Sequence, residues 1–104
     1  MTQNDLVAAL RDCYDPLLRR NIVELNLVRS ATLTRDVDAP GATIPGVPPR
    51  YIAHVVLTAP GSDETANAQL IAQIENRLAG LPEISHSTVK LLAPAFPILN
   101  MRQN

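Results

Sequence analysis

Residues 36–50 form a proline- and glycine-rich segment near the middle of the chain. The segment reads DVDAPGATIPGVPPR and holds four of the nine prolines and two of the four glycines in the 104 residues. Proline removes a backbone hydrogen-bond donor and glycine widens backbone freedom, so neither a helix nor a strand is expected here. We therefore predict an irregular loop between two strands, longer than the usual hairpin connection of about two to five residues. A loop of that length indicates a flap or a contact surface.

Three segments are rich in the β-branched and aliphatic residues that favour strands. The first covers residues 21–34 (NIVELNLVRSATLT), which contain no proline or glycine and predict a strand with an extended beginning. The second covers residues 51–58 (YIAHVVLT), whose alternate side chains point to opposite faces of a sheet. The third covers residues 83–93 (EISHSTVKLLA) and is closed by Pro94 and Pro97. These segments predict three strands, two of them flanking the loop at 36–50.

Apolar side chains at helical spacing predict two amphipathic helices. Thr2 and Asp5 are suited to a capping box at the start of the first helix. Asp15-Pro16 is predicted to end it, because proline disfavours the helical conformation in the residue before it. The apolar stripe of the first helix is predicted to be Leu6, Ala9, Leu10 and Cys13. Ser62 is the predicted N-cap of the second helix, and its buried stripe is predicted to be Leu70, Ile71, Ile74 and Leu78.

The resulting order is helix, strand, strand, helix, strand. Two amphipathic helices on one face of a three-stranded sheet give a two-layer α+β domain, in which the second helix is a crossover between the second and third strands. The other sheet face has mixed character, which suits a partly covered surface, and we hypothesise that a second copy of the chain covers it in a homodimer. The residues predicted for this open face are Thr32, Thr34, Ile52, His54, Val56, Thr58, His86, Thr88, Lys90 and Leu92.

Charge and composition exclude several classes of function. The formal net charge is -1 with nine Lys plus Arg residues, so no basic surface for nucleic acid or for an anionic membrane is expected. Aromatic residues make up 3%, which argues against a base-stacking surface. A single cysteine excludes an internal disulfide and a thiolate metal cage within one chain. The opening MTQNDLVAALRDCYD acquires acidic residues before any long apolar run, so we expect no secretory signal, no membrane span and a cytoplasmic location.

Four short motifs follow one another along the chain: Asp15-Pro16, then residues 21–28 (NIVELNLV), then Thr58-x-Pro60-Gly61, and last Pro94-x-Phe96. In this order the chain resembles the small iron–sulfur cluster assembly (FSCA) domain of metal–sulfur cluster biosynthesis proteins of the SufT and PaaD types. The resemblance runs from about Leu6 to Met101 and implies the same helix–strand–strand–helix–strand fold. On this basis residues 1–104 are a single domain of that kind, with the loop at 36–50 as an insertion.

The chain departs from the pattern of that family at four positions. Leu17 stands where the family usually has an acidic residue after Asp-Pro, and Phe96 stands in place of its terminal tryptophan. Asn26 replaces a glycine before the Leu-Val pair, and asparagine tolerates left-handed backbone geometry better than most residues. Ser62 replaces the family's cysteine after Thr-x-Pro-Gly. Because a serine hydroxyl does not ionise at neutral pH and is a poor iron ligand, we expect no direct metal–sulfur chemistry at this position.

Ser62 and Cys13 each have a structural and a functional interpretation. Ser62 either caps the second helix or acts as a nucleophile with His54 or His86, although no Gly-x-Ser-x-Gly turn is present. Cys13 is either a buried core residue or a substitute thiolate. An iron–sulfur cluster usually needs four thiolates, so even two Cys13 residues in a dimer would need other ligands. We therefore expect no stably bound cofactor, while transient binding of iron or of an iron–sulfur cluster stays open.

The histidines and two of the acidic residues also have two interpretations each. His54 and His86 either face solvent on neighbouring strands or belong to a metal site, for which Glu24 or Glu83 would supply the third ligand. Asp15 either pairs with Glu24 to bind a metal transiently or hydrogen-bonds backbone amides in the turn after the first helix. The sequence alone does not identify a metal ligand set.

The resemblance implies a non-enzymatic accessory or adaptor in iron–sulfur cluster assembly or in the maturation of client proteins. Its partner would be a cluster carrier or an apo-client, docked at the edge formed by Asp15, Glu24, Thr58 and Ser62, the positions that surround the family's cysteine. The alternative is a diverged protein-interaction module of the same fold, unrelated to clusters, that uses the loop at 36–50. An enzyme is not expected, because the sequence offers no convergent set of acid, base and nucleophile.

Overall fold

The computed structural model describes residues 1–94, and within them the predicted α+β class and element order are confirmed. The elements are α1 (Gln3–Leu10), β1 (Val28–Arg35), β2 (Tyr51–Thr58), α2 (Glu64–Ala79) and β3 (Ile84–Leu92). Phe96, Pro97 and Met101, which belong to the closing motif and the end of the resemblance, lie outside the described residues.

The strands form one mixed sheet in the order β1-β2-β3. β1 and β2 are antiparallel, with Ala31 opposite Val55, and β2 and β3 are parallel, with Val55 opposite Val89. Parallel neighbours need a crossover connection, and α2 supplies it as predicted. Buried side chains from both helices join the cluster that contains Ala53, Val55 and Leu57 of β2, so both helices lie on one face of the sheet.

The two helices meet the sheet through narrow apolar stripes. The predicted capping box of α1 is present: the Asp5 N–H donates to Thr2 Oγ1 at 3.2 Å, and the Thr2 N–H donates to Asp5 Oδ2 at 2.8 Å. In α2 the buried residues are Ala66, Leu70, Ile74 and Leu78. Ile71, predicted to be buried, is only half-buried, because the stripe follows every fourth residue and Ile71 lies beside it.

The end of α1 differs from the prediction. The helix ends at Leu10 rather than at Asp15-Pro16, so Cys13 lies beyond the helix and not on its stripe. The cause is a tertiary pairing, in which the Cys13 carbonyl accepts a hydrogen bond from the Ile22 N–H at 3.0 Å. That pairing holds residues 13–15 extended against residues 20–22, which a continuing helix would prevent.

Residues 21–27 form a single helical turn, so the predicted extended beginning of the first strand is wrong. Asn21 caps this turn, because its Oδ1 accepts a hydrogen bond from the Glu24 N–H at 2.8 Å. At the other end the Leu27 N–H donates to the Ile22 carbonyl at 3.1 Å, which is the long bond of a Schellman closure. Asn26 occupies the left-handed position of that closure, with φ 58°.

We predict that Asn26→Ala lowers the free energy of unfolding by about 1–2 kcal/mol, because alanine gains no local hydrogen bond to offset the left-handed backbone. Asn26→Gly is the matched control and should be neutral or slightly stabilising, since glycine adopts positive φ without a steric penalty. Urea unfolding of the three proteins measures the difference. Equal stability of the alanine and glycine variants would show that the left-handed geometry at this position is not a constraint.

The loop at 36–50 is irregular, as predicted, and hydrogen bonds hold it at its base. The Asp36 N–H donates to the Arg50 carbonyl at 2.9 Å, which closes the loop. The Asp36 carboxylate accepts from the Ser85 hydroxyl at 2.5 Å and from the Asp38 N–H at 3.0 Å. The Ser85 hydrogen bond, more than any other contact, lowers the pKa of the Asp36 carboxyl below its ordinary value of 3.8. At the other end Arg50 Nη2 donates to the Ile84 carbonyl at 3.0 Å, so both ends of the loop are tied to the beginning of β3.

Candidate functional site

Asp15 begins a tight turn between the two paired segments that follow α1. Its N–H donates to the Arg20 carbonyl at 2.9 Å, and its own carbonyl accepts from the Arg19 N–H at 2.8 Å. Its Oδ2 accepts from the Leu18 N–H at 2.8 Å. The residue is only 1% exposed, and Arg19 takes a left-handed φ of 57° to close the turn. Asp15 thus hydrogen-bonds a backbone amide, as the second interpretation of this residue predicts.

The N-cap of α2 is Asp63, not the predicted Ser62. Asp63 Oδ1 accepts from the Ala66 N–H at 2.9 Å, and the Asp63 backbone is extended with φ -74° and ψ 108°. Asn67 fixes the approach to the helix, because its Nδ2 donates to the Gly61 carbonyl at 3.1 Å. Ser62 is exposed one residue before the cap. Its hydroxyl is therefore not the group that begins the helix.

The Asp15 turn and the beginning of α2 enclose a cavity of about 110 Å³. From the turn, its wall takes Asp15, Leu17 and Leu18. From the approach to α2 and its first turn, it takes Pro60, Gly61, Asp63, Ala66 and Asn67. Asp15 Oδ1 is shielded from solvent and receives no hydrogen bond from any group within residues 1–94. The cavity therefore joins the first and third sequence motifs, and Asp15 in its wall carries an acceptor that the described part of the chain does not satisfy.

Thr58 lies close to the cavity along the chain, whereas Glu24 lies on an exposed turn away from its wall. Thr58 ends β2, two residues before the cavity wall begins at Pro60, and its Oγ1 accepts from Arg29 Nε at 2.8 Å. Glu24 is exposed, and its Oε1 accepts from Asn21 Nδ2 at 2.8 Å. Glu24 does not line the cavity, so the predicted Asp15–Glu24 pair is not formed there. The second acidic residue that lines the cavity is Asp63, which none of the sequence motifs includes.

Cys13 is a buried core residue with no exposed surface, in agreement with the structural interpretation of this thiol. Burial raises the pKa of the Cys13 thiol from its ordinary 9.0 to about 11, against a smaller opposing effect of the Arg77 guanidinium. At neutral pH the group is a protonated thiol, which is neither nucleophilic nor a good metal ligand.

The two histidines lie on the open sheet face and make separate contacts. His54 bridges all three strands, because its Nε2 lies 2.9 Å from Thr34 Oγ1 and its Nδ1 lies 3.0 Å from Thr88 Oγ1. His86 is directed instead toward Asp36, with 4.0 Å between Nδ1 and Oδ2. Both nitrogens of His54 are therefore occupied by threonines rather than by Ser62. Across residues 1–94, no three His, Cys, Asp or Glu side chains are grouped so that they would hold a metal ion.

Comparison with known proteins gives one informative likeness. No protein-family model matches the chain, and no curated protein matches it. A solved structure, the domain of unknown function DUF59 from Bacillus anthracis, is similar with a TM-score of 0.63 over 86% of this chain and 73% of that chain, at 23% sequence identity. The chain therefore has the α+β fold of that domain.

The helices offer no segment for crossing a bilayer. Neither α1 nor α2 combines the length and the apolar character that a membrane span requires.

Proposed function

We propose that this protein is a non-enzymatic accessory in iron–sulfur cluster assembly that docks a cluster carrier or an apo-client at the rim of the cavity. One observation carries the proposal: Asp15 of the first motif and Pro60-Gly61 of the third motif share one cavity wall where α2 begins. These motifs carry the resemblance to the iron–sulfur cluster assembly domain, and DUF59 domains have the fold of that family. Motifs that converge in space support a common site better than motifs that merely share an order.

The residues at this site do not fit a resident iron–sulfur cluster. Such a cluster is usually held by four cysteine thiolates, and this chain has one cysteine. Cys13 is fully buried and protonated at neutral pH, and Ser62 offers a hydroxyl in place of a thiol. We therefore assign docking to this protein and leave the iron and sulfur chemistry, with any transient contact to iron or to a cluster, to the partner.

Exposed apolar side chains at and beside the cavity supply a docking rim. Leu17 and Leu18 line the cavity and are 65% and 57% exposed, and Tyr14, just before the Asp15 turn, is 49% exposed. Large apolar groups held in place at the surface lose little conformational entropy when a partner covers them, and contiguous ones mark interaction sites. The Asp15 hydrogen bonds fix the turn that presents them.

A cellular assay tests this function. Removal of the protein from its source organism should lower the activity of iron–sulfur enzymes in extracts, and the unaltered gene should restore it. Leu17→Ser should fail to restore activity, because it removes a side chain from the docking rim. Full activity of iron–sulfur enzymes without this protein would refute the proposal.

Anaerobic reconstitution tests the absence of a resident cluster. The purified protein, mixed with iron and sulfide and then desalted, should show no stoichiometric visible absorption. A band that appears in full and is lost in Cys13→Ala would show that the chain holds a cluster itself.

The alternative function is a protein-interaction module that uses the loop at 36–50. Val37, Ile44 and Val47 in this loop are 69%, 58% and 41% exposed, while the loop base is fixed by hydrogen bonds. Val37→Ser is the matched variant for this reading, because Val37 and Leu17 are about equally exposed. If the alternative is correct, Val37→Ser abolishes binding of the partner protein and Leu17→Ser does not. If the proposed role in cluster assembly is correct, Leu17→Ser abolishes binding and Val37→Ser does not.

The proposal also includes a cytoplasmic location and a homodimer through the open sheet face. That face carries Ile52, Val56 and Leu92 among polar residues, and no described element covers it. Cell fractionation tests the location. Light scattering at micromolar concentration tests the dimer, and a monomeric mass would remove it from the proposal without affecting the docking rim.

A further inference from the structure

Asp15 lines the cavity, and one oxygen of its carboxylate receives no hydrogen bond from any group within residues 1–94. Asp15 is only 1% exposed, yet its Oδ1 accepts no hydrogen bond within residues 1–94. A buried carboxylate oxygen without a donor is unfavourable, and a cationic donor is its strongest complement. We propose that the cavity receives the side chain of a lysine from the partner protein. This inference rests on the docking role proposed above and names the chemistry by which that site recognises its partner.

Three residues that line the cavity, Asp15, Asp63 and Asn67, each carry one oxygen without a hydrogen-bond donor in the described chain, and three separate acceptors favour an ammonium group over a guanidinium. Asp15 Oδ2 is occupied by the Leu18 N–H, which leaves Oδ1. Asp63 Oδ1 is occupied by the Ala66 N–H, which leaves Oδ2. Asn67 uses its Nδ2 on the Gly61 carbonyl, so its amide oxygen is the remaining polar atom. A lysine ammonium has three donors that diverge from one atom, whereas the arginine fork is suited to both oxygens of one carboxylate.

The rest of the cavity suits the methylene stem of lysine. Leu17, Leu18, Pro60 and Ala66 contribute apolar wall, and lysine buries its stem against such surface while its charged end seeks polar groups. A cavity of ~150 Å³ accommodates benzene, so about 110 Å³ accommodates the end of one side chain. An anion is not suited to this cavity, because Asp15 and Asp63 would repel it. The Ala66 N–H, which could otherwise bind an anion, already donates to the Asp63 cap.

Peptide binding followed by NMR tests the inference directly. The probe is the tripeptide acetyl-Leu-Lys-Leu-amide, titrated into the ¹⁵N-labelled full-length protein while the amide signals of Leu18, Gly61 and Asn67 are recorded. We expect saturable shifts of these signals. The norleucine analogue of the peptide, which lacks the ammonium group, should bind at least about tenfold more weakly, because charge-assisted hydrogen bonds are lost.

Isosteric variants of the protein provide the controls. Asp15→Asn keeps an oxygen for the Leu18 N–H but removes the charge, and should weaken binding of the lysine peptide at least about tenfold. Asp38→Asn, which makes the same charge change in the exposed loop, should alter the affinity less than about twofold. Asp63→Asn keeps a good N-cap and provides a second test if Asp15→Asn does not fold.

Several outcomes would overturn the inference. Equal binding of the norleucine peptide would make the cavity a purely apolar site. Equal or stronger binding of acetyl-Leu-Glu-Leu-amide would make it an anion site, and magnesium chloride that produces the same shifts and blocks the peptide would make it a metal site. Peptide binding together with normal iron–sulfur enzyme activity in cells without the protein would refute the proposed function and leave the lysine site intact. Loss of that enzyme activity in cells, with no binding of the lysine peptide to the protein, would refute the lysine site and support the proposed function.

Discussion

Replacing Leu70 with alanine is expected to lower the free energy of unfolding by about 2–5 kcal/mol. Leu70 has no exposed surface and lies on the α2 stripe that packs on the sheet core. The substitution removes buried methyl and methylene groups and leaves a cavity, because the sheet on one side and α1 on the other limit how far the core can relax. In a domain of this size such a loss is a large fraction of the total stability. Urea unfolding monitored by circular dichroism measures it.

Leu17→Ala is the matched control for that experiment. The chemical change is identical, but Leu17 is 65% exposed, so the expected loss is below about 0.5 kcal/mol. Both variants should unfold with the denaturant dependence of the unaltered protein, since the surface exposed on unfolding hardly changes. Equal destabilisation by the two substitutions would mean that α2 does not pack on the sheet as described.

The elements that the sequence predicts best are those in which one period repeats several times. In β2, Ala53, Val55 and Leu57 are buried, while His54 and Val56 between them are partly exposed. The sequence alone predicts this alternation, because it depends only on the period of a strand. The same holds for α2, where buried residues recur at every fourth position. Repetition fixes both the type of element and the face that it buries.

The segments that the sequence predicts wrongly are short ones whose conformation depends on distant partners. Residues 21–27 contain β-branched and aliphatic side chains typical of a strand, yet they form one capped turn. The signals for that turn are the Asn21 cap and the left-handed Asn26, each a single residue. Likewise α1 ends before Cys13 because Cys13 pairs with Ile22, a contact that no local pattern announces.

The candidate site was predicted in part. The resemblance implies an edge formed by Asp15, Glu24, Thr58 and Ser62, and of these only Asp15 lines the cavity. Pro60 and Gly61 of the third motif lie in the same wall. Periodicity alone gives no such contact, because the residues belong to different elements. Asp63 was missed because Ser62 and Asp63 are both preferred N-caps, and the choice between them depends on which backbone is extended just before the helix. The sequence signal was the carboxylate itself, three residues before the Ala66 N–H that it caps.

The thiol of Cys13 is expected to react with iodoacetamide at least about 100-fold more slowly in the folded protein than in urea. A pKa of about 11 in place of 9.0 lowers the thiolate fraction near neutral pH by about two orders of magnitude, and complete burial removes access as well. Mass spectrometry of samples quenched at intervals gives both rates. Rapid alkylation of the folded protein would show that Cys13 is accessible, and would reopen sulfur chemistry on this chain.

The same thiol makes stability depend on alkaline pH. Its pKa is raised in the folded state, so its contribution is complete below the unfolded value near 9.0 and is lost as the pH rises toward about 11. In that interval the unfolded chain releases the proton and the folded chain retains it. The informative quantity is the difference in the free energy of unfolding between the unaltered protein and Cys13→Ala, measured by urea unfolding at pH 7, 9 and 10. This difference in the free energy of unfolding should become smaller as the pH rises, because only the unaltered protein has the thiol whose stabilising contribution is lost. A difference that stays constant would show that burial does not perturb the pKa of this thiol.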